Sequence, residues 1–215
     1  MSAPITLLLI AATCVVSLVA FRTPSLLMRL ILWPPAIDRH RQYDRLVTYG
    51  FIHADIWHLF FNMFTLFFFG RQIEGWMAAQ KGPWVFPLFY FSALVVSILP
   101  TYLKHQKDPN YRSLGASGAV SAVLFAFILL APWATIGVFF IPMPAIVFAV
   151  LYIAYSIWMD KRGGDNINHG AHLAGAAYGV LFLVVMDAGV IGHFLEELSH
   201  PSFGTTTAPR PEDHA

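Results

Sequence analysis

An all-α bundle of six transmembrane helices is the fold class this sequence predicts, on three observations. The 215 residues are 57% hydrophobic and only 12% charged, about half the charge of an ordinary soluble domain. Uncharged stretches long enough to cross a bilayer recur along the chain. The few polar residues inside those stretches fall at one level. A net charge of +1 argues against a nucleic-acid surface. The lone Cys14 excludes an internal disulfide and leaves the redox compartment unread.

Charges, prolines and glycines delimit the elements. The first span is 5–21, read as a retained span and not a cleaved signal peptide, because no basic segment precedes it and no small-residue cleavage context follows it. A connector, 22–55, carries five arginines yet holds the apolar run "LLMRLILWPP", so it is expected to lie in the interface as amphipathic pieces. The second and third spans are 56–79 and 83–103. No charge occurs from 113 to 159, too long for one crossing of about 30 Å. A break at "APWATIG" divides it into spans 114–130 and 136–159, the latter kinked or loosened by Pro142 and Pro144. The sixth span is 166–186. Residues 1–188 then form the membrane domain. Residues 189–215 supply a short surface helix at 193–198 and a Thr/Pro-rich disordered tail.

Polar groups within spans are costly and need a reason. His58 and Asn62 stand near the start of span 2, Gly115, Ser117, Gly118 and Ser121 at the start of span 4, and His169 and His172 at the start of span 6. Even-numbered spans run in one direction, so all three sets face one side of the membrane. At 1.5 Å per residue, Asn62 and His172 lie roughly 9 Å below their span starts. His58 and Asn62 share a helix face, as do Ser117 and Ser121. His172 shares a face with Gly175 and Gly179, and that G-x-x-x-G pair lets another backbone come close. One small-residue face bears serines and the other a histidine, which suits nucleophilic catalysis with an adjacent base. The first amides of span 4 lack partners within the helix and attract negative charge. With His58 and Asn62 as further donors, they would hold an oxyanion.

Each motif alone reads as helix packing, and His53 alone as an anchor at the entry to span 2. Arg71 and Glu74 read as interfacial anchors, and the Phe-rich run 66–70 as lipid-facing surface. The common depth of the sets argues for a site. A metal-dependent enzyme or transporter is disfavoured, because H-E-x-x-H is absent and the one carboxylate within the six spans, Glu74, stands at the far end of span 2 from the histidines. A channel would need polar groups along both halves of a path, and the far ends of these spans are apolar.

The ordered set of motifs resembles the rhomboid family of intramembrane serine proteases, of the bacterial six-span type. "HADIWHLFFN" (His53, His58, Asn62) is similar to the family's H-x4-H-x3-N, and "GRQIEG" to its G-x3-E with Glu74. "GASG" (Gly115 to Gly118) is similar to the nucleophile motif, "AHLAGAAYG" (His172, Gly175, Gly179) to A-H-x2-G-x3-G, and Arg45 to the connector arginine. The resemblance implies that Ser117 is the nucleophile and His172 the general base, a dyad without a required Asp. It implies an oxyanion hole of His58, Asn62 and the Ser117 amide, with Gly115, Gly118, Gly175, Gly179 and His53 in support. It implies no cofactor and no metal. Its partners would be the lipid bilayer and transmembrane protein substrates whose helix unwinds near the scissile bond. Span 5 would be the lateral gate, Ile167 part of an apolar cap, and the location a bacterial inner (plasma) membrane. The alternative is a catalytically inactive relative that binds transmembrane clients. Oligomeric state, substrate identity and pathway are left open.

Two features depart from the family pattern. Some members place a Tyr four residues after the nucleophile, beneath the histidine ring. Ser121 stands there in this chain, so the ring must be held by another residue. With both termini cytoplasmic, only Arg71, Lys81 and Arg210 lie inside and the other ten Lys and Arg outside, the reverse of the positive-inside rule. Five of those ten belong to the interfacial connector, and a site open to the extracytoplasmic side is the expectation.

Overall fold

The structure, a computed structural model, describes residues 3–138, 141–165 and 167–201. Helices occupy all six predicted segments, the fifth only in part. The predicted tail from 204 onward lies outside the described residues.

Helix α1 (Pro4–Ala20) starts with Pro at its first turn and buries one stripe: Thr6, Leu9, Thr13, Ser17 and Ala20. Its free N-terminal amides need acceptors. The Glu74 carboxylate supplies them, accepting from Ile5 N–H at 2.9 Å and Thr6 N–H at 2.7 Å. Glu74 is therefore no interfacial anchor. It is buried, and it caps a helix almost seventy residues away in sequence.

The connector folds into α2 (Pro24–Leu30), α3 (Pro34–His40) and the single turn α4 (Arg45–Thr48), continued by a 3-10 turn at Tyr49–Phe51. Arg45 is buried and ties these pieces together. Its Nη1 donates to the carbonyls of Met28 at 2.9 Å and Ile31 at 2.6 Å, and its Nε to Gln42 Oε1 at 2.7 Å.

Span 2 is one rod made of α5 (Ile56–Thr65), a π-helical turn (Leu66–Gly70) and α6 (Arg71–Lys81). It leaves the preceding segment at 98°. Helix α7 (Val85–Lys104) follows. Helix α8 (Ser117–Leu130) is apolar all round and buries thirteen of its fourteen residues, which makes it the centre of the bundle. By length and composition α7 and α10 (His169–Met186) can each cross a membrane, as can the bent pair ending in α6, while α1 and α8 are shorter apolar helices.

The fifth segment differs from expectation. Its first part is not helix but an antiparallel hairpin of β1 (Thr135–Val138) and β2 (Ile141–Pro144), and α9 (Ala145–Arg162) begins only after it. Pro142 and Pro144 therefore do not kink a span. Proline cannot supply the amide a helix interior needs, and Pro144 instead stands at the N-cap of α9. The surface helix extends beyond 193–198, as α11 (Gly189–Ser199), and docks on the end of α8. His193 Nε2 lies 2.9 Å from the Leu130 carbonyl, and the Trp133 indole donates to the Glu197 carbonyl at 2.8 Å.

Helices α8 and α10 meet backbone to backbone. A Cβ built on Gly175 would sit 2.0 Å from the Gly118 carbonyl oxygen, and one on Gly179 would sit 2.1 Å from that of Ala122. Both pairs keep one offset in residue number, so the two helices run parallel. On the opposite side a Cβ on Gly118 would meet Ser97 Oγ of α7 at 2.4 Å. Small residues thus let three helices converge. Gly179→Ala is expected to lower the unfolding free energy by about 1–3 kcal/mol, read by denaturation in detergent. Wild-type stability would mean that this contact is not made.

Candidate active site

The loop before α8 is pinned from several directions. Gly115 has φ of +107°, a backbone conformation that side chains disfavour, and its N–H donates to the Tyr49 carbonyl at 2.9 Å. The Ala116 N–H donates to His53 Nε2 at 3.4 Å. His53 Nδ1 faces Ser17 Oγ at 3.0 Å, and Ser17 Oγ donates to the Phe51 carbonyl at 3.0 Å. With Nε2 accepting, the His53 proton belongs on Nδ1, and every group in the relay is satisfied. His53 is fully buried. It is a brace under the serine loop, not a simple anchor.

Ser117 is the first residue of α8, half-buried, with its amide among those that have no acceptor within the helix. His58 lies across from Gly115: a Cβ there would meet His58 Cε1 at 2.6 Å and Nε2 at 2.8 Å. The absence of a side chain at 115 is what leaves room for that imidazole. His58 Nδ1 faces the Ala54 N–H at 3.5 Å, which leaves Nε2 as the donor edge toward the loop. The His53 and His58 rings meet edge to face with centroids 4.9 Å apart. Asn62 is buried, and one of its Nδ2 hydrogens goes to the His58 carbonyl at 2.9 Å, leaving the second uncommitted by that bond.

Helix α10 starts at a built cap. Asn168 Oδ1 accepts from the Ala171 N–H at 3.0 Å and from Thr101 Oγ1 at 2.9 Å, while its Nδ2 reaches Tyr111 Oη and Ser113 Oγ at 3.3 and 3.4 Å. One side chain joins α7, α10 and the loop leading to Ser117. His172 follows one turn into α10 and is half-buried. In the parallel α8–α10 register, Ser117 precedes Gly118 by one residue and His172 precedes Gly175 by three. The two therefore flank the same backbone contact, about 3 Å apart in rise. Their side chains share no hydrogen bond among the described residues. Such catalytic contacts often close only when substrate is bound.

The His172 ring stacks on Tyr152 of α9, with centroids 6.0 Å apart and planes 19° apart, and Tyr152 Oη lies 2.6 Å from Ser121 Oγ. His169 is buried, pairs with Asp165 Oδ2 at 3.0 Å and presents its ring edge to His172. In the loop before α10, the hydrogen bond from His169 holds the Asp165 carboxyl below its ordinary range. Ile167 is half exposed beside this loop.

The structure thus gathers the predicted residues. Ser117, Gly115, Gly118, His53 and His58 converge at the start of α8. His172, Gly175 and Gly179 line the α10 face against it, and Asn62 lies one turn below His58. Sequence reasoning missed Tyr152, Asn168, Ser17 and Tyr49. Asn168, a side-chain acceptor just before an apolar helix, carries a legible N-cap signal. The other three act across long sequence separations and carry no local signal.

Fold and site define the class: an integral membrane helical protein with a serine at a helix N-terminus, a histidine on the parallel neighbour and imidazole and amide donors facing the same loop. The chain belongs to the rhomboid family, with residues 40–188 matching the Rhomboid domain. It is 35% identical over 144 residues to "RHOMBOID-like protein 12, mitochondrial" of Arabidopsis thaliana, covering 61% of this chain and 43% of that protein. It is 28% identical over 164 residues to "Rhomboid-related protein 1" of Caenorhabditis elegans, covering 72% and 43%. It is 33% identical over 141 residues to "Rhomboid protein 1, mitochondrial" of Saccharomyces cerevisiae, covering 62% and 39%. The chain spans about two fifths of the length of these curated relatives.

Asp55 caps the rod that carries His58 and Asn62, its carboxylate accepting from the Trp57 and His58 amides at 2.8 Å each. These bonds, the one from His58 first, hold its pKa below the ordinary 3.8. A lowered folded pKa means that the cap's contribution is complete above the ordinary value and lost as pH falls through the lower folded one. The melting-temperature gap between wild type and Asp55→Ala is therefore expected to be steady near neutrality and to close on strong acidification. A gap that does not change with pH would contradict this.

Proposed function

We propose that this chain is an intramembrane serine endopeptidase that cleaves membrane-spanning protein substrates, with Ser117 as nucleophile and His172 as general base. The observation that carries the reading is the Gly118–Gly175 backbone contact, which brings the head of α8 against the first turns of α10 and so supports pairing the serine of one with the histidine of the other. Ser117 Oγ attacks the scissile carbonyl carbon while its proton passes to the His172 imidazole. The carbonyl oxygen becomes an oxyanion, which in this reading accepts from the Ser117 N–H, His58 Nε2–H and the second Asn62 Nδ2–H. Collapse breaks the C–N bond, and the leaving amine takes the proton from His172. Water then attacks the acyl ester, giving a proton to His172 that returns to Ser117 Oγ.

A helical peptide bond is shielded and already hydrogen-bonded, so the substrate segment must unwind at the cut. Helix α9 is the element through which such a segment would enter, since only Ala145, Ala149 and Ser156 of its eighteen residues are buried. The site opens to the extracytoplasmic side in this reading. A bacterial plasma membrane is the proposed location, and fractionation of source cells tests it. Co-purification with mitochondria, as the names of two relatives would suggest by analogy, would overturn that part.

The deciding experiment is cleavage of a reporter transmembrane segment in proteoliposomes. Ser117→Ala and His172→Ala are expected to lose roughly 10³-fold or more in kcat while staying folded. His58→Ala is expected to lose about 10²–10³-fold. Wild-type cleavage by Ser117→Ala would remove the nucleophile assignment. Binding of the segment without cleavage by the wild-type protein would favour the inactive client-binding alternative.

A further inference from the structure

We propose that Tyr152 is the positioning residue for the catalytic base, holding the His172 ring from α9. The proposal rests on the reading that His172 is that base.

A histidine on a helix turns about two side-chain torsions, and a general base works only when one ring nitrogen faces the nucleophile. No hydrogen bond from a described residue reaches the His172 ring, so packing must orient it. Tyr152 supplies a near-parallel face, with planes 19° apart and centroids 6.0 Å apart, within the range of an offset stack. A stack of this kind fixes the plane of the imidazole and leaves its nitrogen edges free to take and return a proton.

The Tyr152 ring is itself clamped. Its hydroxyl meets Ser121 Oγ at 2.6 Å, and its ring meets Phe125 and Phe148 at a tilt, each with centroids 5.5 Å away. Ser121 and Phe125 belong to α8, one and two turns beyond Ser117. The clamp therefore refers the orientation of His172 back to the helix that carries the nucleophile. Ser121 is buried and too small to reach the imidazole face itself, and its hydroxyl holds the residue that does. Because Tyr152 sits on the least buried of the long helices, the orientation of the base depends on how α9 is seated.

The test measures kcat and KM for a reporter transmembrane segment with the full chain in proteoliposomes, alongside labelling by a fluorophosphonate probe and melting temperature. Tyr152→Leu is expected to lower kcat by about 10²-fold with KM little changed, and to slow probe labelling in proportion. Tyr152→Phe keeps the stacking face and gives up only the hydroxyl clamp, so it is expected to lower kcat a few-fold and much less than Tyr152→Leu, with Ser121→Ala matching it. If Tyr152→Leu fails to hold its melting temperature, Tyr152→Met replaces it, with the same loss expected. Wild-type kcat in the Leu or Met variant, a change confined to KM, or equal loss in the Phe variant would overturn the proposal. Ser117→Ala run in parallel separates the two readings. A dead Ser117→Ala beside a fully active Tyr152→Leu sinks only the role of Tyr152, whereas an active Ser117→Ala sinks the dyad.

Discussion

The architecture depends on one contact, the backbone-to-backbone approach of α8 and α10. Where Gly118 faces Gly175, and Ala122 faces Gly179, no room is left for even a methyl group. In lipid, helices gain little from hydrophobic exclusion against one another, and close packing of small residues takes over that role. The same contact underlies the proposed chemistry. Two polar residues on parallel helices, each within a turn of the closest approach, are brought to one level without any loop having to place them.

Around that contact the chain builds satisfaction rather than bulk. Several buried groups outside the site find partners in other segments: Glu74 in the first amides of α1, Arg45 in the connector carbonyls, His53 between Ser17 and the serine loop. An unpaired polar group within an apolar bundle costs far more than its bond returns in water. Each of these residues therefore fixes a segment that would otherwise be free. The connector, rich in arginine yet apolar, becomes a set of short helices tied down by one guanidinium. The loop at Gly115 is held by a carbonyl above and an imidazole below.

The helices that carry the polar residues differ in how deeply they are buried. α8 is buried on all sides and bears the serine. α10 is locked to it and bears the histidine. α9, the element with least buried surface among the long helices, carries only a supporting ring.

The sequence by itself determined the membrane class, the approximate position of the helices and the polar residues proposed as the site. Those rest on hydropathy, helical spacing and the expense of polar groups in lipid, which are local properties. Ser117, His172, His58 and Asn62 were legible because each stands out against an apolar background. The pairing of 135–138 with 141–144 was not, because an uncharged stretch containing prolines reads equally as a broken helix or as strands, and only the pairing itself distinguishes them. Glu74 read as a surface anchor and proved to be a buried cap, since nothing near it in sequence announces the start of α1 as its partner. The support of His172 was likewise invisible. The position four residues after Ser117 holds only a serine, and the ring that reaches the histidine comes from a helix thirty residues further on. Tertiary structure alone decided these features, because each is a contact between segments whose separation in sequence carries no signal of their nearness in space.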